Sequence, residues 1–271
     1  MNSGIVIGSI EIKFYSLFIL AGIILAWIFI KGEAKRFNIS SDFITNLLFW
    51  TIIMGIIGAR AYYVIFNWDY YGNNISEIFK IWEGGLAIHG GILFGGLTLI
   101  FYCKKYKISA LRMMDISAPY LLLAQALGRW GNFFNQEAHG MATTYEHLKS
   151  LKFIPDFVIY GMNINGTYYT PTFYYESLWC LLGVIIILII RRLKRLRVGT
   201  QVGVYLMWYS LGRFFIESSR TDSLMLGNLK MAQIVSIVLF LMGLIIILIQ
   251  ARKPKLEDMY NTSENIEVVN F

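Results

Sequence analysis

The sequence predicts an all-α polytopic membrane protein with seven transmembrane helices. Hydrophobic residues make up 56% of the 271, and charged residues only 15%, where a soluble domain carries about a quarter charged. The apolar residues gather into seven nearly uncharged runs, each within the roughly 17–25 residues that cross a hydrocarbon core. Most cations lie between those runs. The net charge of +7 raises nucleic acid as a partner, but basic clusters flanking apolar segments are the signature of membrane topology, so no nucleic acid is expected.

The seven runs are 14–30, 43–66, 84–102, 116–134, 173–190, 202–219 and 231–250. The first lacks a small-residue cleavage site and is followed by Lys31, Lys35 and Arg36, so it reads as a retained span rather than a signal peptide. Flanking cations alternate in number. The first, third and fifth loops and the C-terminal tail hold three (Lys31, Lys35, Arg36), four (Lys104, Lys105, Lys107, Arg112), five (Arg191, Arg192, Lys194, Arg195, Arg197) and three (Arg252, Lys253, Lys255). The opposite side holds Lys13, Lys80, Lys149, Lys152, Arg220 and Lys230. That asymmetry places the N-terminus outside and the C-terminus in the cytoplasm. Residues 1–271 are expected to form a single integral membrane domain, with 135–172 as an extracytoplasmic loop insertion. In that loop, 157–160 and 167–170 flank Asn165-Gly166, a dipeptide suited to a β-hairpin turn. Ile75, Ile78, Phe79 and Trp82 share one stripe of a short amphipathic segment, 75–82, expected to lie in the interface. Cys103 and Cys180 occupy different apolar runs and read as buried thiols, with no disulfide framework, redox motif or metal-ligand spacing. No cofactor is expected.

Three arginines, Arg60, Arg129 and Arg213, interrupt otherwise apolar runs. A charge at bilayer depth costs about 2.5–3.5 kcal/mol on insertion scales, so such residues face protein or a polar cavity and act there. With the orientation above, Arg60, His89, Arg129 and Asn132 fall in the outer half. So do Glu137, Glu176 and Tyr15, and the set Tyr209, Arg213, Glu217 and Arg220 spaced along one helical face. Four arginines against Glu176, Glu217 and Glu137 describe a pocket of net positive character. Guanidinium forks match phosphate oxygens bidentately, so an anionic head group suits it. The competing interpretation is a set of internal ion pairs that fix helix register, for which Arg213 and Glu217 have i,i+4 spacing.

His89 sits in a glycine-rich run, Gly84-Gly85-Leu86-Ala87-Ile88-His89-Gly90-Gly91. The glycines favour close helix packing. The histidine is either a hydrogen-bonded packing residue or a general base, kept neutral by desolvation and neighbouring arginines. His139 and His147 look like surface residues, and no His/Asp/Glu set has metal-site spacing, so no metal site is expected.

The run Gly128-Arg129-Trp130-Gly131-Asn132-Phe133-Phe134-Asn135-Gln136-Glu137 closely resembles the signature of bacterial prolipoprotein diacylglyceryl transferases, Gly-Arg-x-Gly-Asn-Phe-x-Asn-x-Glu. His89-Gly90-Gly91, Tyr209…Arg213…Glu217…Arg220 and Tyr15 resemble further elements of that family, spread through most of the chain. The resemblance implies transfer of the diacylglyceryl group of phosphatidylglycerol to the lipobox cysteine of a preprolipoprotein signal peptide, with a thioether formed and glycerol phosphate released. It implies catalytic roles for His89, Arg129, Arg213 and Tyr15. It also implies substrate-binding roles for Arg129, Asn132, Glu137, Gly140, Tyr209, Glu217 and Arg220, to which the outer-half arginine Arg60 is added. The expected location is the bacterial cytoplasmic (inner) membrane, multi-pass, with the active site toward the extracytoplasmic half. The chain departs from the family at Thr170, where a histidine is usual, at Glu83 for a commoner Asp, and at Lys13 for a frequent histidine. A role held by the family's histidine at the Thr170 position does not carry over.

Two other function classes compete. A secondary transporter for an anionic solute would place its charges near the midplane, with inverted repeats; here they keep to one side and no repeat is evident. A binding protein for an anionic lipid or solute would need the arginines but not His89.

Overall fold

A computed structural model describes residues 4–8, 10–220, 225–226, 229–252 and 259–261. A hairpin of β1 (Gly4–Ile7) and β2 (Ile10–Lys13) leads into α1 (Phe14–Ala34). Next come α2 (Ser41–Phe66), short α3 (Trp68–Tyr71), two 3-10 turns (Ile75–Phe79 and Ile81–Glu83), α4 (Ile88–Lys105) and α5 (Ala110–Asn135). The loop region holds β3 (Ala142–Thr143), α6 (Tyr145–Ser150), α7 (Asp156–Gly161), β4 (Asn163–Ile164) and β5 (Thr167–Tyr169). Then follow α8 (Thr172–Ile190), α9 (Thr200–Ser218), β6 (Met225–Leu226), β7 (Leu229–Lys230) and α10 (Met231–Ala251).

Each of the seven predicted runs is helical over most of its length, the third only from Ile88 on. Four helices, those beginning at Phe14, Ser41, Thr172 and Met231, are long and apolar enough to cross a membrane by length and composition alone. The other three are diluted by the residues of chemical interest: α4 by His89, four glycines and two lysines, α5 by Arg112, Asp115, Gln125, Arg129 and Asn132, and α9 by Gln201, Arg213 and Glu217. Lys253 and Lys255, counted among the C-terminal cations, lie outside the described residues.

The described residues group into two compact units, one of those up to Phe29 with those from Met114 on, the other Ile30–Met113. In the second unit, the Ser40 hydroxyl caps α2 by accepting from the Phe43 amide at 3.1 Å. α2 and α4 pack backbone to backbone. A Cβ built on Gly90 would lie 2.2 Å from the Gly58 carbonyl oxygen, so only hydrogen fits there, as the glycine run predicts. The segment 75–82 forms 3-10 turns rather than one α-helix; of the expected stripe Ile75, Phe79 and Trp82 are strongly exposed and Ile78 is half-buried.

In the first unit, Leu122, Ala126, Cys180 and Ile187 join α5 to α8, with Val204, Tyr205, Trp208 and Tyr209 of α9 packed against them. The Ser177 hydroxyl donates to the Ala126 carbonyl at 3.1 Å. The loop region has its own core of Phe133, Leu148, Ile154, Val158, Ile159, Met162 and Phe173. Its three strands pair antiparallel in the order β3-β5-β4. The Asn165-Gly166 turn forms with both residues at positive φ, 51° and 86°, the geometry of a tight hairpin turn. The first strand is 163–164 rather than 157–160, because Pro155-Asp156 starts α7 across that stretch.

At the opposite end of this unit Arg191, one of the cations counted in the fifth loop, is buried. Its guanidinium donates to the Gln201 side chain at 2.7 Å, the Tyr120 hydroxyl at 3.1 Å, and the carbonyls of Asp115 and Ile116 at 3.0 and 3.1 Å. The Asp115 carboxylate in turn accepts the Gly199 and Val202 amides at 2.6 and 2.8 Å, satisfying donors that open α9.

Candidate active site

Three helices of the first unit bring their charged side chains to one place. Arg129 lies near the end of α5, Glu176 in the first turns of α8, and Arg213 with Glu217 in the last turns of α9. Glu176 is the hub: one carboxylate oxygen lies 2.6 Å from Arg129 Nη2 and the other 2.9 Å from Arg213 Nη1. Arg213 Nη2 also reaches Glu217 at 2.6 Å, one helical turn along its own helix. Both carboxylates are almost wholly enclosed, whereas the two arginine side chains keep about a fifth of their surface (21% and 18%). Among the described residues, no hydrogen-bond acceptor meets Nε or Nη1 of Arg129.

This arrangement revises the expected net positive pocket. Arg129 and Arg213 are balanced by Glu176 and Glu217, since a guanidinium held in a low-dielectric interior needs a counter-charge. The Arg213–Glu217 pair anticipated from spacing does form. Its partner across the helices, Glu176, is the residue whose importance sequence spacing understated. Its only signal was being the sole carboxylate in span five.

The rest of the signature folds into a tight turn after α5. The Asn132 and Asn135 amides both donate to one oxygen of Glu137, at 3.0 and 3.3 Å. The Glu137 amide donates to the Asn132 carbonyl at 3.1 Å. Gln136 and Ala138 hold positive φ, 53° and 56°, a backbone state uncommon outside glycine and concentrated at functional turns. Gly131 lets α1 come close to α5: a Cβ there would lie 2.7 Å from the Tyr15 ring and 3.0 Å from its Cα. The Tyr209 ring is parallel to that of Tyr205 (13°), with centroids 6.2 Å apart.

Gly140 and Arg220 meet as an isolated β-bridge. The Gly140 amide donates to the Thr170 carbonyl at 2.9 Å, and a Cβ at this glycine would lie 2.9 Å from the Thr170 side chain. The glycine is buried and its backbone is engaged, so it shapes the loop. Arg220 therefore lies beyond the end of α9 rather than on its helical face, and its carbonyl accepts from Lys230 Nζ at 2.9 Å. Thr170 donates its hydroxyl to the Met141 carbonyl at 3.1 Å, a local bond within the loop.

Arg60 and His89 belong to the second unit. All five N–H groups of Arg60 point to backbone carbonyls of the 77–85 segment, those of Glu77, Ile78, Lys80, Gly84 and Gly85, at 2.6–3.4 Å. Its guanidinium also lies 5.1 Å from the centre of the Tyr71 ring. A guanidinium whose five N–H groups are all engaged by the chain holds the 77–85 segment in place, a different use from the substrate binding expected of Arg60. His89 is exposed on α4, its ring 6.1 Å from that of Tyr62.

Comparison with known proteins adds an independent line. The family model described as prolipoprotein diacylglyceryl transferase matches residues 4–249. A phosphatidylglycerol–prolipoprotein diacylglyceryl transferase of Listeria monocytogenes serotype 4b is 49% identical over 247 residues, covering 91% of this chain and 88% of its own. Proteins of the same name from Staphylococcus xylosus and Staphylococcus carnosus are 45% and 46% identical over 257 residues each. Both alignments cover 93% of this chain, and 91% and 92% of the relatives. With a match along nearly its whole length and relatives close to half identical, the chain belongs to the prolipoprotein diacylglyceryl transferase family.

Proposed function

We propose that this chain transfers the diacylglyceryl group of phosphatidylglycerol to the lipobox cysteine thiol of a preprolipoprotein. It would do so as a seven-span protein of the bacterial cytoplasmic membrane, its N-terminus and active site toward the extracytoplasmic side. The names borne by relatives at 45–49% identity support the reaction, and the Arg129–Glu176–Arg213–Glu217 array is the observation that carries it. An S-alkylation that expels a phosphate monoester needs fixed positive charge where the leaving oxygen becomes negative. Guanidinium groups already oriented by buried carboxylates incur no reorganisation cost at that moment.

The step balances as follows. The thiol proton passes to a base, which we assign to His89 from its His-Gly-Gly context, with Tyr15 close to the signature helix. The thiolate attacks the glycerol carbon that bears the phosphoester, forming C–S as C–O breaks, and glycerol phosphate leaves with the bonding electron pair. Arg129 and Arg213 meet the charge that develops on the phosphate. Asn132, Glu137, Tyr209 and Glu217 hold their surroundings. Gly140 and Arg220 shape the adjoining loop. The substrate supplies the sulfur, so Cys103 and Cys180, both buried, have no part in it.

The test is mass spectrometry of a lipobox peptide incubated with the purified protein and phosphatidylglycerol. A diacylglyceryl mass on the cysteine, with equimolar glycerol phosphate, is the expected result. Phosphatidylglycerol consumed without peptide modification, or no consumption at all, would overturn it.

A further inference from the structure

The two helices that supply Glu176 and Arg213 are joined by a reciprocal clasp. Trp179 of α8 and Trp208 of α9 stack with ring centroids 4.2 Å apart and planes within 10°. Each indole N–H donates to the other residue's backbone carbonyl, both at 2.9 Å. Each ring also lies on a glycine of the opposite helix. A Cβ on Gly212 would fall 2.3 Å from the Trp179 ring, and one on Gly183 would fall 2.5 Å from Trp208. The pattern is Trp-x-x-x-Gly on both helices, 179–183 and 208–212, paired in opposite senses.

The glycine spacing has a physical reason. In an α-helix the carbonyl of residue i accepts the amide of residue i+4, so the carbonyls of Trp179 and Trp208 already face the amides of Gly183 and Gly212. With no side chain on that fourth residue, the carbonyl's second lone pair is open to the indole from across the interface. The two indole bonds run in opposite directions across the same interface, so together they favour one register. A slip of one residue moves a helix by about 1.5 Å, enough to break both indole bonds at once.

We propose that Trp179, Trp208, Gly183 and Gly212 are positioning residues that hold α8 in the register where Glu176 reaches Arg213. Trp179 follows Glu176 by three residues, and Gly212 immediately precedes Arg213, so a change of register at the clasp is felt within one turn at the ion pair. The proposal rests on the transferase function given above. Side chains that never touch the donor lipid thereby set the geometry of the guanidinium that meets its leaving phosphate.

The test compares the full-length protein with W179F, W208F and the double variant, and with 3-benzothienylalanine at position 208, which keeps the ring's shape and removes only the N–H. Circular dichroism reads the clasp itself, because closely stacked indoles give an exciton couplet that either single substitution abolishes. Turnover of phosphatidylglycerol with a lipobox peptide reads its effect. The expected result is a fall in kcat of roughly 10²-fold, the size associated with a misplacement of about 1 Å, with KM for phosphatidylglycerol changed less than threefold. The double variant should be no worse than the poorer single, as for groups that act as a unit. An active parent whose couplet disappears in variants that keep kcat within twofold would refute positioning. An active parent without a couplet would refute the clasp. An inactive parent would refute the transferase function and this proposal with it. Should the phenylalanine variants fail to fold, the benzothienyl protein decides by the same criteria.

Discussion

Replacing Glu176 by Gln removes the one carboxylate, among the described residues, that touches both Arg129 and Arg213. Its side chain is only 7% exposed, so the change is made in a low-dielectric setting. Breaking a buried pair by neutralising one partner costs about 3–5 kcal/mol. Part of that falls on stability and part on the orientation of the two guanidiniums. Losing one well-placed electrostatic donor costs about 2.7–4 kcal/mol of transition-state stabilisation, roughly 10²–10³ in kcat. Ground-state binding should move the other way. A carboxylate near a bound phosphate repels it, so its removal favours the anionic lipid. Glu176→Gln should therefore lower kcat by about two orders of magnitude while KM for phosphatidylglycerol stays constant or falls. Initial rates of peptide modification across a range of lipid mole fractions measure both constants. A raised KM with kcat intact would refute the orienting role, because it would mark Glu176 as a binding group alone.

Other substitutions test single contacts. Arg60→Lys should expose the 77–85 segment to proteolysis, since one ammonium cannot replace five guanidinium donors; KM for phosphatidylglycerol should remain within twofold, and a raised KM with an intact segment would restore Arg60 to the binding set. Gly131→Ala should cost about 1–3 kcal/mol of stability through overpacking against Tyr15, seen as a lower melting temperature in detergent; an unchanged melt would contradict the close approach. Asp115→Ala should destabilise by at least the roughly 1–3 kcal/mol of a buried donor left unpaired, measured by the same melt with KM unaffected, because its two amide donors lie at the far end of α5 from Arg129. His89→Asn should reduce turnover at pH 7 and recover as pH rises toward the thiol's own value of about 8.5; full activity at pH 7 would remove His89 as the base.

Seven helical segments and the Asn165-Gly166 turn were readable from order alone. Hydropathy, turn geometry and motif spacing are properties of residues near one another in the chain, and the three-dimensional fold had little freedom to change them. The fates of the cations were not readable in that way. Arg60, Arg129 and Arg191 are chemically identical, yet one is saturated by a loop's carbonyls, one meets a carboxylate on another helix, and one is buried against Tyr120 and Gln201. Which of these occurs depends on how helices far apart in sequence cross, and hydropathy does not encode crossing. The balance of charge around Arg129 and Arg213 was decided at the same level, because Glu176 reaches both only once α5, α8 and α9 are packed. The tertiary structure therefore converted a count of charges into a directed array, since Coulomb energy depends on the separation of charges in space and is blind to their separation in sequence.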